Sequence, residues 1–191
     1  METMNAILER RSVRKYTDEP ISDAELDAIL TAALSAPSGL NLQPWYFVAV
    51  KSDEERQVLS QIMESVSVEI SKELEERFAS HPEIVAETRH FIRTLGNAPV
   101  TLLAFLMRDD YADEQTALVS VAAAVENALI AARDLGIGSC WLTAPNQTGF
   151  GDQIRDHFAP GKGALVATVS LGHTESWPKA VARRKDRFAI V

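Results

Sequence analysis

Residues 10–16 read RRSVRKY, and residues 183–187 read RRKDR. Eight of the 19 basic residues fall in these two segments (Arg10, Arg11, Arg14, Lys15, Arg183, Arg184, Lys185 and Arg187), although the chain carries a net charge of −8. In the first segment Arg10, Ser12 and Arg14 alternate, so an extended backbone puts them on one side. Two guanidinium groups and a hydroxyl on one face suit a phosphate or a polarised ring carbonyl, because arginine presents fixed, forked donors. Taken alone, RRSVRKY is better explained as a solvated basic patch. The second cluster, and a polar loop at residues 36–47 (APSGLNLQPWYF), favour binding, since the two clusters could meet around one small anion. In that loop Pro37, Gly39 and Pro44 break regular structure, while Ser38, Asn41 and Gln43 supply uncharged donors and acceptors.

Other chemistries find little support. LGIGSCW has Gly136 and Gly138, but Trp141 stands where a dinucleotide fingerprint needs its third glycine, and GFG at 149–151 fails in the same way. His81, His90, His157 and His173 have no metal-ligand spacing with another His, Cys or carboxylate, so no metal is expected. Cys140 is the only cysteine; with no base paired to it, it reads as a buried, inert thiol. It can form no internal disulfide, which fits a reducing cytoplasm. The N-terminus lacks a secretory signal pattern, and no apolar run reads as long and charge-free enough to span a bilayer. The acidic balance opposes a nucleic-acid partner.

The elements that must position these residues follow from periodicity and caps. A short helix is expected over Met4–Glu9. Ser22 and Glu25 form a capping box that opens a helix ending before Pro37. Trp45–Val50 reads as a strand. Ser52 with Glu55 opens a long charged helical stretch through Phe78, and Ser80 with Glu83 opens another to about Leu95. Pro99–Met107 and Ala164–Leu171 read as buried strands, Ser139–Leu142 as a short one, and Gly149–Phe158 as a short helix. Leu118–Leu135 is helical and apolar on nearly every face, interrupted only by Ser120, Glu126 and Asn127 before Arg133. Such a helix is covered all round, either by its own chain in the core or by a second chain at a dimer interface. Strands separated by helices, with no repeat and no obvious linker, indicate one α+β or α/β domain over 1–191 with a central sheet.

The order of these motifs resembles the nitroreductase family of flavin-dependent homodimers. The stretch ERRSVRKYTDEPISDAELDAILTAALSAPSGLNLQPWYFVAV is similar to that family's N-terminal third. ENALIAARDLGIGSCWL looks like its long interface helix and following strand, and LGHTESWP with RRKDRFAIV like its closing segment. The resemblance implies a three-layer α/β/α sandwich with a central mixed sheet, in an intertwined homodimer. It implies bound FMN at the subunit interface and NADH or NADPH as reductant. It further implies a ping-pong cycle that reduces nitroaromatics, quinones or a related acceptor.

Carried over residue by residue, Arg10 and Ser12 would hold the FMN phosphate, with Arg11 near the ribityl–phosphate chain. Arg14 would lie by the flavin N1 and C2 carbonyl, where a cation stabilises the reduced ring. Pro37, Ser38, Asn41 and Gln43 would come from the partner subunit. Trp141, Leu142 and Thr143 would run beside the ring, and Arg184 and Lys185 would complete the phosphate site. Thr143-Ala144 stands where some members carry a Glu-Gly pair. Residues 61–97, the least similar part, would cover the active site. Reductive dehalogenation on the same fold, and flavin binding without turnover, are the alternatives.

Overall fold

The computed structural model describes residues 2–191. Its sheet has four strands: β1 (Trp45–Val50), β2 (Val100–Leu106), β3 (Gly138–Leu142) and β4 (Leu165–Gly172), in the order β1-β2-β4-β3. All three ladders are antiparallel. The parallel component of the expected mixed sheet is a single bridge, in which Ser12 lies alongside Ser139 on β3.

Strand alternation sorts the core into two halves. Leu102, Ala104 and Leu106 of β2, with Ala167, Val169 and Leu171 of β4, face α2 (Asp23–Leu34) and α6 (Glu114–Asp134). Leu103 and Phe105, with Cys140, Leu142 and Leu165, face α3 (Asp53–Glu69), α5 (Pro82–Thr94) and α8 (Gly151–Phe158). The result is the helix–sheet–helix sandwich expected.

Local chemistry explains where the elements begin and end. The Ser22–Glu25 capping box forms reciprocally at the start of α2. The long charged stretch divides into α3 and α4 (Ser71–Arg77), because the Ser67 and Ser71 hydroxyls donate back to carbonyls of the preceding turn, at Glu64 and Ser67. The expected Ser80–Glu83 cap is replaced by His81: Pro82, with its fixed φ and no N–H, takes the first helical position. Helix α6 starts four residues before the apolar pattern does, because Asp113 accepts from the Thr116 N–H at 3.0 Å. A four-residue turn, α7 (Ala144–Gln147), follows β3 and had no signal in the pattern.

Helix α6 corrects one expectation. By length and composition alone it could cross a membrane. Yet Ala117, Val121, Ala124, Val125, Ala128, Leu129 and Ala132 are buried against the sheet and α2, which makes it a core helix on that side. Its other side is only partly covered, and Val119 there is 63% exposed.

Candidate active site

The arginine segment is held by the sheet. Helix α1 (Thr3–Glu9) ends at Arg10. The chain then runs extended beside β3: the Val13 N–H donates to the Ser139 carbonyl at 2.9 Å, and Val13 is buried. With Val13 turned into the core, Ser12 and Arg14 turn away from it. Arg14 reaches over the Phe91 ring of α5, 5.6 Å from its centroid. The Tyr16 hydroxyl donates to the Val13 carbonyl at 2.6 Å and sits 2.7 Å from the Ser170 Oγ. Burial pushes this phenol well above its ordinary value, against the smaller, lowering effect of the Ser170 bond.

The two basic ends of the chain meet. A cleft of about 310 Å³ is lined by Arg10, Arg11, Ser12 and Arg14 from one end and by Lys179 and Arg183 from the other. Arg184 and Lys185, the tail residues singled out from the sequence, are exposed and do not line it. Arg11 has a structural task as well: its Nη1 donates to the Leu8 and Arg10 carbonyls, satisfying the open end of α1. Arg10 pairs through Nε with Glu126 of α6 at 3.2 Å. Glu126 and Lys179 were not among the residues the sequence picked out for the site; Arg183 was part of the second basic cluster, but the family resemblance pointed to its neighbours Arg184 and Lys185 instead. Glu126 was visible only as a polar break in an apolar helix.

A second, larger cleft of about 910 Å³ opens on Arg14. Lys15 and Tyr16 line it, together with Phe78, Glu87, His90 and Phe91 from the stretch 61–97. Gly96 also lines it. A Cβ there would lie 2.6 Å from the Arg14 carbonyl, and φ is +67°, so only glycine fits.

The 36–47 loop lies elsewhere on the same chain. Pro37, Ser38 and Gly39 share a pocket with Thr116, Val119 and Ser120 near the start of α6, where the Gly39 N–H donates to the Ser120 Oγ at 3.4 Å. Leu40, Asn41 and Gln43 all have positive φ, a backbone arrangement that costs non-glycine residues on the order of 1–3 kcal/mol each. The loop holds it with the Gln43 N–H donating to the Ser38 Oγ at 3.0 Å and the Gln43 side chain donating to Asn41 at 3.1 Å. Leu40 at its tip is 95% exposed. Arg10 touches α6 at Glu126, whereas the loop touches it at residues 116–120. At 1.5 Å rise per residue these points are roughly 9–15 Å apart along the helix.

On β3, Trp141 is half-buried with its indole N–H lacking an acceptor, Leu142 is buried, and Thr143 is exposed at the start of α7. Cys140, like Leu142, faces the side of the sheet opposite Trp141. Burial raises its thiol above the ordinary value and outweighs the lowering by Arg14, Ser12 and Arg10, as expected of an inert thiol. Among the described residues no group of three or more His, Cys, Asp or Glu could hold a metal ion.

A model of the Nitroreductase family matches residues 7–173. The chain belongs to the nitroreductase family. A protein of Archaeoglobus fulgidus, provisionally named NADH dehydrogenase/NAD(P)H nitroreductase, is 31% identical over 98% of this chain and 93% of its own length. A nitroreductase with bound FMN from Desulfitobacterium hafniense superposes with a TM-score of 0.78 at 27% identity, covering 100% of this chain and 98% of that one. A shorter match, 30% identical over 54% of this chain and 36% of the other, joins it to iodotyrosine deiodinase 1 of Rattus norvegicus. Within the nitroreductase family, then, this chain keeps the fold, and its basic cleft is built from both ends of the sequence.

Proposed function

We propose that this protein is an FMN-dependent oxidoreductase. In this reading NADH or NADPH is the electron source, and a nitroaromatic, quinone or related acceptor is reduced in a ping-pong cycle within the cytoplasm. The observation that carries the reading is the cleft where Arg10, Arg11, Ser12 and Arg14 meet Lys179 and Arg183. Its lining offers cationic and hydroxyl donors, and the Glu126 carboxylate beside it is paired with Arg10. A phosphate monoester, which only accepts at neutral pH, suits that donor set. Family membership and the FMN of the Desulfitobacterium relative supply the flavin to which the phosphate belongs.

The residues divide the work as follows. Arg10 and Ser12 bind the phosphate, with Arg183 closing over it from the tail; Arg184 and Lys185 stand next in line on the same tail. Arg11 fixes the end of α1 and lies by the ribityl–phosphate chain. Arg14 sits between the two clefts, so its charge faces the ring that the larger cleft exposes to substrate. FMN, when bound, supplies two-electron acceptance and donation. A fixed cation in a partly desolvated cleft favours the reduced, more negative form without reorganising. Trp141, Leu142 and Thr143 flank the ring.

Pro37, Ser38, Asn41 and Gln43 cannot reach Arg10 of their own chain across the length of α6 that separates them. In a homodimer packed on the exposed side of α6, the partner's loop is brought to the cleft, and the strained backbone of Leu40–Gln43 is then held for that purpose. Residues 61–97 form the substrate wall through Phe78, Glu87, His90 and Phe91. The local likeness to a deiodinase supports one second reading, reductive dehalogenation. Turnover of halophenols but not nitroarenes would establish it.

The test is anaerobic spectroscopy. The purified chain, loaded with FMN, shows a flavin spectrum that NADH or NADPH bleaches and a nitroarene or quinone restores. Arg10→Ala and Arg183→Ala each weaken FMN retention. A flavin that binds but stays oxidised with both nicotinamides would leave a binding protein without turnover. No flavin binding would overturn the reading.

A further inference from the structure

After Gly172 the chain is irregular and mostly exposed, yet it delivers Lys179 and Arg183 to the cleft. Trp177 is where it is gripped. The Arg133 guanidinium, in the last turn of α6, lies over the Trp177 ring at 4.0 Å. The Arg133 Nη2 also donates to the Glu9 carboxylate at 2.6 Å. The Arg133 side chain is only 15% exposed, so the stack is largely desolvated, the setting in which cation–π attraction is strongest.

Glu9 and Trp177 are neighbours in sequence of the two halves of the cleft. Glu9 precedes Arg10, and Trp177 precedes Lys179 by two residues. None of Glu9, Arg133 and Trp177 lines the cleft itself. The pairing with Glu9 offsets the charge of Arg133, so the grip adds little net charge to the phosphate site.

We propose that Glu9, Arg133 and Trp177 form a positioning clamp that locks the basic tail in register with the end of α1, so that phosphate affinity depends on a residue that never touches phosphate. The proposal rests on the FMN reading. A tail freed at Trp177 keeps its cations but loses their placement, so their charge-assisted bonds form only at the entropic cost of ordering the segment.

The experiment compares FMN with riboflavin, which has the same ring and no phosphate, by flavin fluorescence titration of the full-length protein. Trp177→Ala weakens FMN binding roughly ten- to hundred-fold, the equivalent of one or two charge-assisted hydrogen bonds, and leaves riboflavin binding unchanged. Trp177→Phe restores most of the loss. Arg133→Lys repeats the selective loss, since an ammonium lacks the planar fork. Trp177→Leu keeps the bulk without the aromatic face, and it replaces the alanine variant should that lose its thermal transition. Wild-type FMN affinity in Trp177→Ala overturns the clamp while leaving the flavin site intact. Parallel loss of FMN and riboflavin also overturns it, in favour of a general packing role. A wild-type protein that binds neither flavin removes the FMN reading, and the clamp's phosphate role with it.

Discussion

Gly138→Ala tests how the sheet sets the arginine segment. Gly138 is the first residue of β3, and its backbone lies outside the left-handed region, so alanine meets no conformational barrier there. Contact is the obstacle. A Cβ at this position would lie 2.9, 3.0 and 3.1 Å from three side-chain carbons of Val13. Carbon atoms rest at about 3.5–4.0 Å, so the new methyl arrives roughly 0.5–1 Å too close. Val13 is buried and β-branched, with little rotamer freedom to retreat. The backbone of residues 12–14 must therefore move away from β3, straining the Val13 N–H bond to Ser139 and the Ser12–Ser139 bridge. Overpacking of this kind costs about 1–3 kcal/mol. In a chain of this size that lowers Tm by roughly 3–9 °C. Ser12 and Arg14 flank Val13, so FMN affinity falls too, and each 1.4 kcal/mol reaching the site is about tenfold in Kd. Thermal melts and flavin titration measure both. Val13→Ala in the same chain removes two of the three clashing carbons, so the double variant loses less than the sum of the singles. Wild-type Tm and Kd in Gly138→Ala, or strict additivity in the double variant, would refute the account.

Two further variants test other parts of the fold and site. Tyr16→Phe removes the hydroxyl bonded to Val13 and Ser170, costing about 1–3 kcal/mol in urea unfolding at neutral pH. The Tyr16 pKa is raised in the folded state, so the stabilisation is full below about pH 10 and is lost as pH climbs past that value. A stability–pH curve should thus fall at its alkaline end in the wild type and flatten in Tyr16→Phe; equal alkaline slopes would count against it. Val119→Glu places a charge on the exposed side of α6. Light scattering should report a monomer that no longer retains FMN, whereas a dimer with normal flavin content would show that the interface lies elsewhere.

How much was legible in the sequence depends on the range over which each signal acts. The Ser22–Glu25 box, the apolar β2 run and the extended Arg10–Arg14 segment are set by neighbours a few residues apart, and they fold where the pattern puts them. The helix opened by Ser80 and Glu83 begins elsewhere because one local rule overrode another: Pro82 claims the first turn and makes His81 the cap. The site is legible as two charged clusters, but their sequence could not say which tail cation turns inward. That choice is made by Arg133 and Trp177, which lie 44 residues apart and meet only once α6 and the tail are packed. A basic run such as Arg183–Arg187 has no period to distinguish its members. The stack on Arg133 fixes the phase of the tail, and that phase presents Arg183 to the cleft and leaves Arg184 and Lys185 in solvent. Helix α6 carries the same lesson in reverse. Its apolar pattern is complete, so it states that every face is to be covered, yet nothing in a pattern of apolar residues distinguishes a cover from the same chain from one supplied by another copy. One side is answered by the sheet and α2; Val119 marks the exposed side, where the proposed homodimer would put its second copy.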